Sequence, residues 1–183
     1  MIIGLTGSFG AGKGTVVDYL VEKKGFDHYS ASGYITEEII RRGMPVNRDS
    51  MIAVSNDMRG TVGPTMIIDA LYAQAKNVGG NAIIESLRAV AEVKEIKKLG
   101  GVVIGVDADA HIRYERAFAR ASEKDNVPFE KWLAQEKAES NPEDPTKQDI
   151  FGALKESDHV IFNHGSLEEL HHQIDDVLSK LNT

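Results

Sequence analysis

The chain contains no cysteine. A disulfide framework, a zinc-thiolate site and a thiol nucleophile are all excluded, and the composition fits a reducing compartment, with the cytoplasm as the expected location. Positive charge is also scarce: 21 Lys and Arg stand against 28 Asp and Glu, for a formal net charge of −7. An acidic surface repels a phosphate backbone, so no nucleic-acid partner is expected, although a local basic pocket remains compatible with the total. No uncharged run approaches the ~20 residues that span a bilayer. The opening Met1-Ile2-Ile3-Gly4-Leu5-Thr6 lacks the basic flank, apolar length and cleavage site of a secretory signal. Neither export nor a membrane partner is expected.

What is there is ordinary globular content. The 183 residues are 42% hydrophobic and 27% charged, near the size of one domain and enough to bury a sizeable core. Short apolar runs bounded by turn residues alternate with stretches of helical period, the pattern of βα units that feed a parallel sheet in an α/β fold. Strands are predicted over Ile2–Thr6, Phe26–Ser30, Ala82–Glu85, Val102–Asp107 and His159–Asn163. Helices are predicted over Lys13–Lys24, Gly33–Arg42, Arg48–Gly60, Thr65–Asn77, Ala89–Leu99, Ala110–Ala121, Phe129–Ser140 and Lys147–Glu156. The last helix is the most explicit: Ser166 and Glu169 form a capping box, and Leu167, Leu170, Ile174, Val177, Leu178 and Leu181 follow a 3.6-residue period. About fifty residues with three helical patterns separate the second strand from the third, far more than a plain crossover needs. That spacing implies an inserted helical lobe over residues 32–78 of the single domain 1–183. A second excursion, residues 122–146, holds Pro128, Pro142 and Pro145 and many charges, and reads as a mobile flap.

Directly after the first strand stands Gly7-Ser8-Phe9-Gly10-Ala11-Gly12-Lys13-Gly14-Thr15, followed by a helical pattern. In a strand, loop and helix of this order, glycines let the backbone wrap an anion so that N–H donors and the positive helix end face phosphate oxygens. Gly7, Gly10, Ala11, Gly12, Lys13, Gly14 and Thr15 are therefore the candidate nucleotide-binding residues, with Lys13 bridging the terminal phosphates. In the generic motif a hydroxyl that touches magnesium follows the lysine; here Gly14 takes that position and Thr15 comes next.

The run Gly10-Ala11-Gly12-Lys13-Gly14-Thr15 resembles the loop of adenylate kinases, and most of the chain resembles the nucleoside monophosphate kinase family. The resemblance implies a three-layer P-loop NTPase fold: a five-stranded parallel sheet with an inserted helical acceptor lobe and a lid. It implies ATP and Mg2+ as cofactors. In such kinases the metal is held largely through waters and the nucleotide phosphates, so Gly14 is compatible with metal binding, with Thr15 as a candidate contact.

The third strand leads into Glu85-Ser86-Leu87-Arg88. Ligands of open parallel sheets bind outside the carboxyl ends of the strands, which places Glu85 to hold the water shell of magnesium and Arg88 to clamp an acceptor phosphate with a bidentate fork. The plainer alternative is that Glu85 caps the next helix and Arg88 is solvated. The stretch looks like the Asp-Gly-x-Arg segment of dephospho-CoA kinase-like and related small kinases, with Glu85 where aspartate is usual. After the second strand, Tyr29-Ser30-Ala31-Ser32-Gly33-Tyr34 looks like the start of the monophosphate-binding lobe, which makes Ser32 a candidate substrate contact. Thr36 stands near the position where such enzymes carry an arginine. The nearest cations are Arg41, Arg42, Arg48 and Arg59, of which Arg59 is expected to reach inward to substrate, the alternative being an exposed charge.

Arg113, Arg116 and Arg120 are spaced three and four apart, on one face of a predicted helix, and converging guanidiniums suit the charge that phosphoryl transfer spreads over equatorial oxygens. The Glu115-Arg116-x-x-x-Arg120 pattern resembles the start of the lid in nucleotide kinases, which implies that Arg116 and Arg120 face the nucleotide; Arg113 is carried over less firmly, and a solvated stripe paired with Glu115 and Asp109 is the alternative. No arginine follows Arg120, so Lys124, Lys131, Lys137 and Lys147 are the remaining flap cations. Phe129 and Trp132 are expected to form a small core of the flap itself. The segment through Asn163 looks like the last strand and turn of dephospho-CoA kinases, which implies that Asn163 lies near the donor base; a plain turn explains it as well.

Lys13, Arg88, Arg116 and Arg120 are thus the expected catalytic set. The expected activity is transfer of the γ-phosphoryl of ATP to a small phosphorylated acceptor, a nucleoside or deoxynucleoside monophosphate. Dephospho-CoA is the alternative acceptor, and a nucleotide-binding regulator or ATPase acting through a protein partner is the alternative of another class.

Overall fold

The computed structural model describes residues 1–119, 127–138, 140, 143–144 and 147–181. Strand β1 (Ile2–Gly7) lies at the centre and is buried along its whole length. A parallel strand covered on both faces has no solvent side, which is why its sequence is a nearly unbroken apolar run. Strand β3 (Ala82–Leu87) flanks it on one side and β4 (Val102–Asp107) on the other, while β2 (Asp27–Ser30) and β5 (His159–Phe162) are the edges. The order is β2-β3-β1-β4-β5, and every pairing is parallel. Chain order switches sides at β1, so a crevice opens at its carboxyl end between β3 and β4, where ligands of such sheets bind.

Helices α1 (Lys13–Lys24) and α9 (Leu167–Leu181) cover one face of the sheet, packing on Ile3, Leu5, Ile83, Ile104 and Ile161. The other face is covered by α2 (Ala31–Arg41), α3 (Arg48–Thr61), α4 (Met66–Val78), α5 (Val90–Lys98) and α8 (Ile150–Lys155), around Ile84, Leu87 and Val103. This is the expected three-layer α/β architecture. Helices α6 (Ala110–Ala119) and α7 (Phe129–Ala138) pack on each other, with Phe129 and Trp132 edge-on to Tyr114 at ring distances of 5.3 and 5.9 Å. The capping box that opens α9 is formed: Ser166 N–H donates to Glu169 Oε2 at 2.7 Å, and Glu169 N–H donates to Ser166 Oγ at 3.2 Å.

At three boundaries the structure departs from the sequence expectation by two or three residues with a visible cause. The helix expected from Lys147 starts at Ile150, because the Asp149 carboxylate accepts from Gly152 N–H at 3.1 Å and caps it there. Helix α2 starts at Ala31 and not Gly33, since the side chain of Ser30, the last residue of β2, accepts from Gly33 N–H at 3.2 Å. Strand β3 runs two residues past Glu85, through an irregularity in which Leu5 pairs with Glu85 but Thr6 pairs with Leu87.

Candidate functional site

The loop after β1 closes into a nest because of where its glycines stand. Gly10 and Gly12 have φ of +76° and +94°, and a Cβ on Gly10 would collide with the Arg113 carbonyl, one on Gly12 with the Asn163 amide. Lys13 Nζ donates to the carbonyls of Gly7 and Ser8 at 2.7 and 2.9 Å. The loop is also tied from outside. Ser8 Oγ donates to the Asp107 carboxylate, Arg113 Nη1 donates to the Phe9 carbonyl at 3.1 Å, and Asn163 Nδ2 donates to the Ala11 carbonyl at 2.9 Å. The carbonyl dipoles of Gly7, Ser8, Phe9 and Ala11 therefore all have protein donors before any anion arrives.

A cleft of about 820 Å³ opens over this loop, within the range of small-ligand sites. It brings together Gly7, Gly10, Gly12, Lys13, Gly14, Thr15, Glu85, Arg88, Arg116 and Asn163, all of them residues expected from the sequence. Ala11 is fully buried beneath the loop and contributes its backbone. Thr15 and Glu85 supply oxygens on the same cleft, the ligand chemistry a magnesium ion takes. Arg116 Nη1 donates to the Asn163 carbonyl at 3.0 Å, so these two candidates support each other, and the Asn163 amide is engaged by the loop it borders.

At the end of β3, Glu85 Oε1 accepts from Ser30 Oγ at 2.8 Å, and Ser30 Oγ lies 2.9 Å from Ser32 Oγ. A hydroxyl has one hydrogen; with Ser30 donating to Glu85, Ser32 is the donor in the second bond. Ser32 is thus joined to Glu85 through Ser30 and does not itself line the cleft. The Arg88 guanidinium stands over the Phe9 ring, 5.5 Å from its centroid, and Nη1 donates to Gln148 Oε1 at 3.4 Å.

Two arginines are placed otherwise than the sequence suggested. Arg59 is buried and its guanidinium is committed to Glu92, with Nη2 and Nε donating to Oε1 at 2.8 and 3.2 Å; it does not line the cleft. Sequence reasoning weighed substrate contact against exposure for it, but the decisive partner is a carboxylate 33 residues away. Arg113 is neither solvated nor turned to the cleft: it forms a buried pair with Glu136 of α7, covers the Trp132 ring at 5.2 Å and holds Phe9. Arg120 and residues 122–126, 139, 141–142 and 145–146 of the flap lie outside the described residues, as does the Arg48 side chain. Arg41 and Arg42 point away from the cleft, where both clasp Glu38, and those guanidiniums hold its carboxyl down at about 2.

The sequence reading passed over four residues that build the site. Glu92 fastens the segment after β3, accepting from the backbone N–H of Arg88 at 2.7 Å and of Ala89 at 3.2 Å. Asp107 holds the loop through Ser8. Phe9 links Arg88 to Arg113. Ser86 lines the cleft with φ +72°. A serine in the place of the glycine of the Asp-Gly-x-Arg stretch was the available signal for the last.

Residues 6–131, more than half of the chain, match the family model of the AAA domain. The chain belongs to the AAA domain family. Among curated relatives, this AAA-domain protein is similar to a UPF0200 protein of Pyrococcus abyssi, 28% identical over 99% of this chain and 97% of the relative. Among solved structures, the AAA-domain protein is similar to one from Thermus thermophilus with 22% identity and a TM-score of 0.65, covering 99% of this chain and 97% of the other. It is also similar to shikimate kinase from Bacteroides thetaiotaomicron, with 12% identity, a TM-score of 0.63 and coverage of 100% and 99%. The fold of this AAA-domain protein is accordingly the P-loop kinase-like fold.

Proposed function

We propose that the protein is an ATP-dependent phosphotransferase that moves the γ-phosphoryl group to a small phosphorylated acceptor, a nucleoside or deoxynucleoside monophosphate. The observation that carries this reading is that the Lys13 loop after β1 and the Glu85/Arg88 end of the neighbouring β3 line one cleft. The loop N–H groups and Lys13 receive the ATP phosphates, Lys13 exchanging the Gly7 and Ser8 carbonyls for phosphate oxygens. Arg116, held by Asn163, adds a guanidinium on the donor side, and Arg120 belongs to the same proposed set. Arg88 receives the acceptor's anionic group, and Glu85, supported by Ser32 through Ser30, borders it. Thr15 and Glu85 would hold magnesium, which supplies neutralisation of charge on the transferred group. The lobe of residues 32–78 and the lid of residues 122–146 close over the cleft and exclude water.

A second reading is favoured by the commitment of Arg59 to Glu92, which removes one guanidinium from the acceptor side. An acceptor that receives the phosphoryl on a neutral hydroxyl, such as dephospho-CoA or the shikimate of the kinase with the similar fold, brings no anionic phosphate to the reacting atom and needs fewer arginines there.

The test is labelled ATP with Mg2+ against AMP, CMP, UMP, their deoxy forms, dephospho-CoA and shikimate. Transfer to a monophosphate is the expected result. Transfer only to dephospho-CoA or shikimate would establish the second reading, and ATP binding without transfer to any acceptor would favour a nucleotide-binding regulator.

A further inference from the structure

Strand β3 carries a conformational cost at one residue. Ser86 has φ +72°, and no other non-glycine residue among those described has a positive φ. That region favours glycine, because a Cβ there crowds the following carbonyl. The reason the backbone turns is visible in the pairing. Ile84 and Leu87 both pack in the core under α2 to α5, although strict alternation would put residues three apart on opposite faces. Ser86 is the extra residue: the ladder skips it, and Leu87 returns to the face of Ile84. The turn is clamped on both sides, by Thr6 Oγ1 donating to the Leu87 carbonyl at 2.9 Å and by the Arg88 N–H donating to Glu92 Oε2 at 2.7 Å.

A bulge whose only task was to bury Leu87 would be better served by glycine. The side chain present instead is a hydroxyl on the cleft, between Glu85 and Arg88, and it makes no hydrogen bond to the described residues. Residues held in sparsely populated backbone regions by over-determined surroundings concentrate at ligand sites. We infer that Ser86 is an acceptor-binding residue, its hydroxyl donating to an oxygen of the acceptor group that Arg88 neutralises. This inference rests on the phosphotransferase reading. Its chemistry suits an oxyanion, a phosphate or a carboxylate, which accepts one hydrogen bond from the hydroxyl and a fork from the guanidinium.

The experiment uses Ser86→Gly and Ser86→Ala in the full chain. Melting of the ligand-free protein is measured, with titrations of ATP and of AMP, CMP, UMP, dephospho-CoA and shikimate. Ser86→Gly relieves the backbone and raises Tm by about 2–4 °C. Both variants keep the wild-type affinity for ATP and bind the acceptor that the wild type binds roughly five- to tenfold more weakly, Ser86→Ala showing that the hydroxyl and not the turn is responsible. Acceptor affinity unchanged in both variants, or lost only in Ser86→Gly, would overturn the inference while leaving the phosphotransferase reading intact. Binding of none of these acceptors by the wild-type protein would overturn both.

Discussion

At the scale of single residues, Lys13 is the clearest case of a side chain that matters to chemistry and little to folding. Its amine holds two loop carbonyls at the mouth of the cleft, outside both hydrophobic clusters. Lys13→Ala is expected to lower transfer by roughly 10²-fold or more, by analogy with removal of one preorganised transition-state donor, and to leave the far-UV spectrum and Tm close to wild type; steady-state rates and thermal melting check this. Gly10 behaves oppositely. A methyl there meets the Arg113 carbonyl in a left-handed residue, so Gly10→Ala is expected to abolish nucleotide binding by deforming the nest, measured by titration with ATP. The glycines and Lys13 were legible in the sequence because the loop is local: its order in the chain is its order in space. Arg59 and Arg113 were not, since their partners Glu92 and Glu136 stand 33 and 23 residues away and no local period connects them.

At the scale of elements, buried ion pairs join helix to helix around the cleft. Arg59 of α3 meets Glu92 of α5, both almost completely buried, and Glu92 in turn fixes the Arg88 backbone. Removing one partner leaves an uncompensated buried charge, so Arg59→Met is expected to destabilise the protein by about 3–5 kcal/mol, whereas Arg59→Met with Glu92→Met recovers much of that loss; chemical denaturation of the single and double variants is the measurement. The exposed cluster on α2 acts through pH. The hydrogen bonds from Arg41 and then Arg42 pull the Glu38 carboxyl down to about 2, below its ordinary value of 4.5. Its stabilising contribution is therefore complete above pH 4.5 and is lost as pH falls towards 2. A carboxyl titration followed by NMR is expected to place Glu38 near 2 and to return it towards its ordinary range in an Arg41→Ala/Arg42→Ala variant. Element positions were mostly legible, because periodicity and punctuation are local signals; the misplaced starts of α2 and α8 came from capping by Ser30 and Asp149, which a hydrophobic pattern does not register.

At the scale of the whole molecule, one sheet brings the Lys13 loop after β1 and the Glu85/Arg88 end of β3 to one cleft, with a helical lobe beyond. A ligand that binds only the folded state stabilises it by RT ln(1 + [L]/Kd), so ATP at about a hundred times its Kd is expected to add about 2.7 kcal/mol, read as a rise in Tm; an unchanged Tm would refute nucleotide binding. ATP together with an acceptor is expected to slow amide exchange in the lobe of residues 32–78 and in α7 more than ATP alone does. By itself the sequence determined the layer architecture, the run of strands and helices and the phosphate nest, because each is written in contiguous residues through hydrophobic period, turn chemistry and glycine placement. Only the tertiary structure decided which arginines face the cleft, which are consumed by buried carboxylates, and that Ser86 is held in a left-handed turn between Thr6 and Glu92. Those outcomes follow from competition among groups distant in the chain for a few buried partners, and that competition takes place only once the sheet has brought them together.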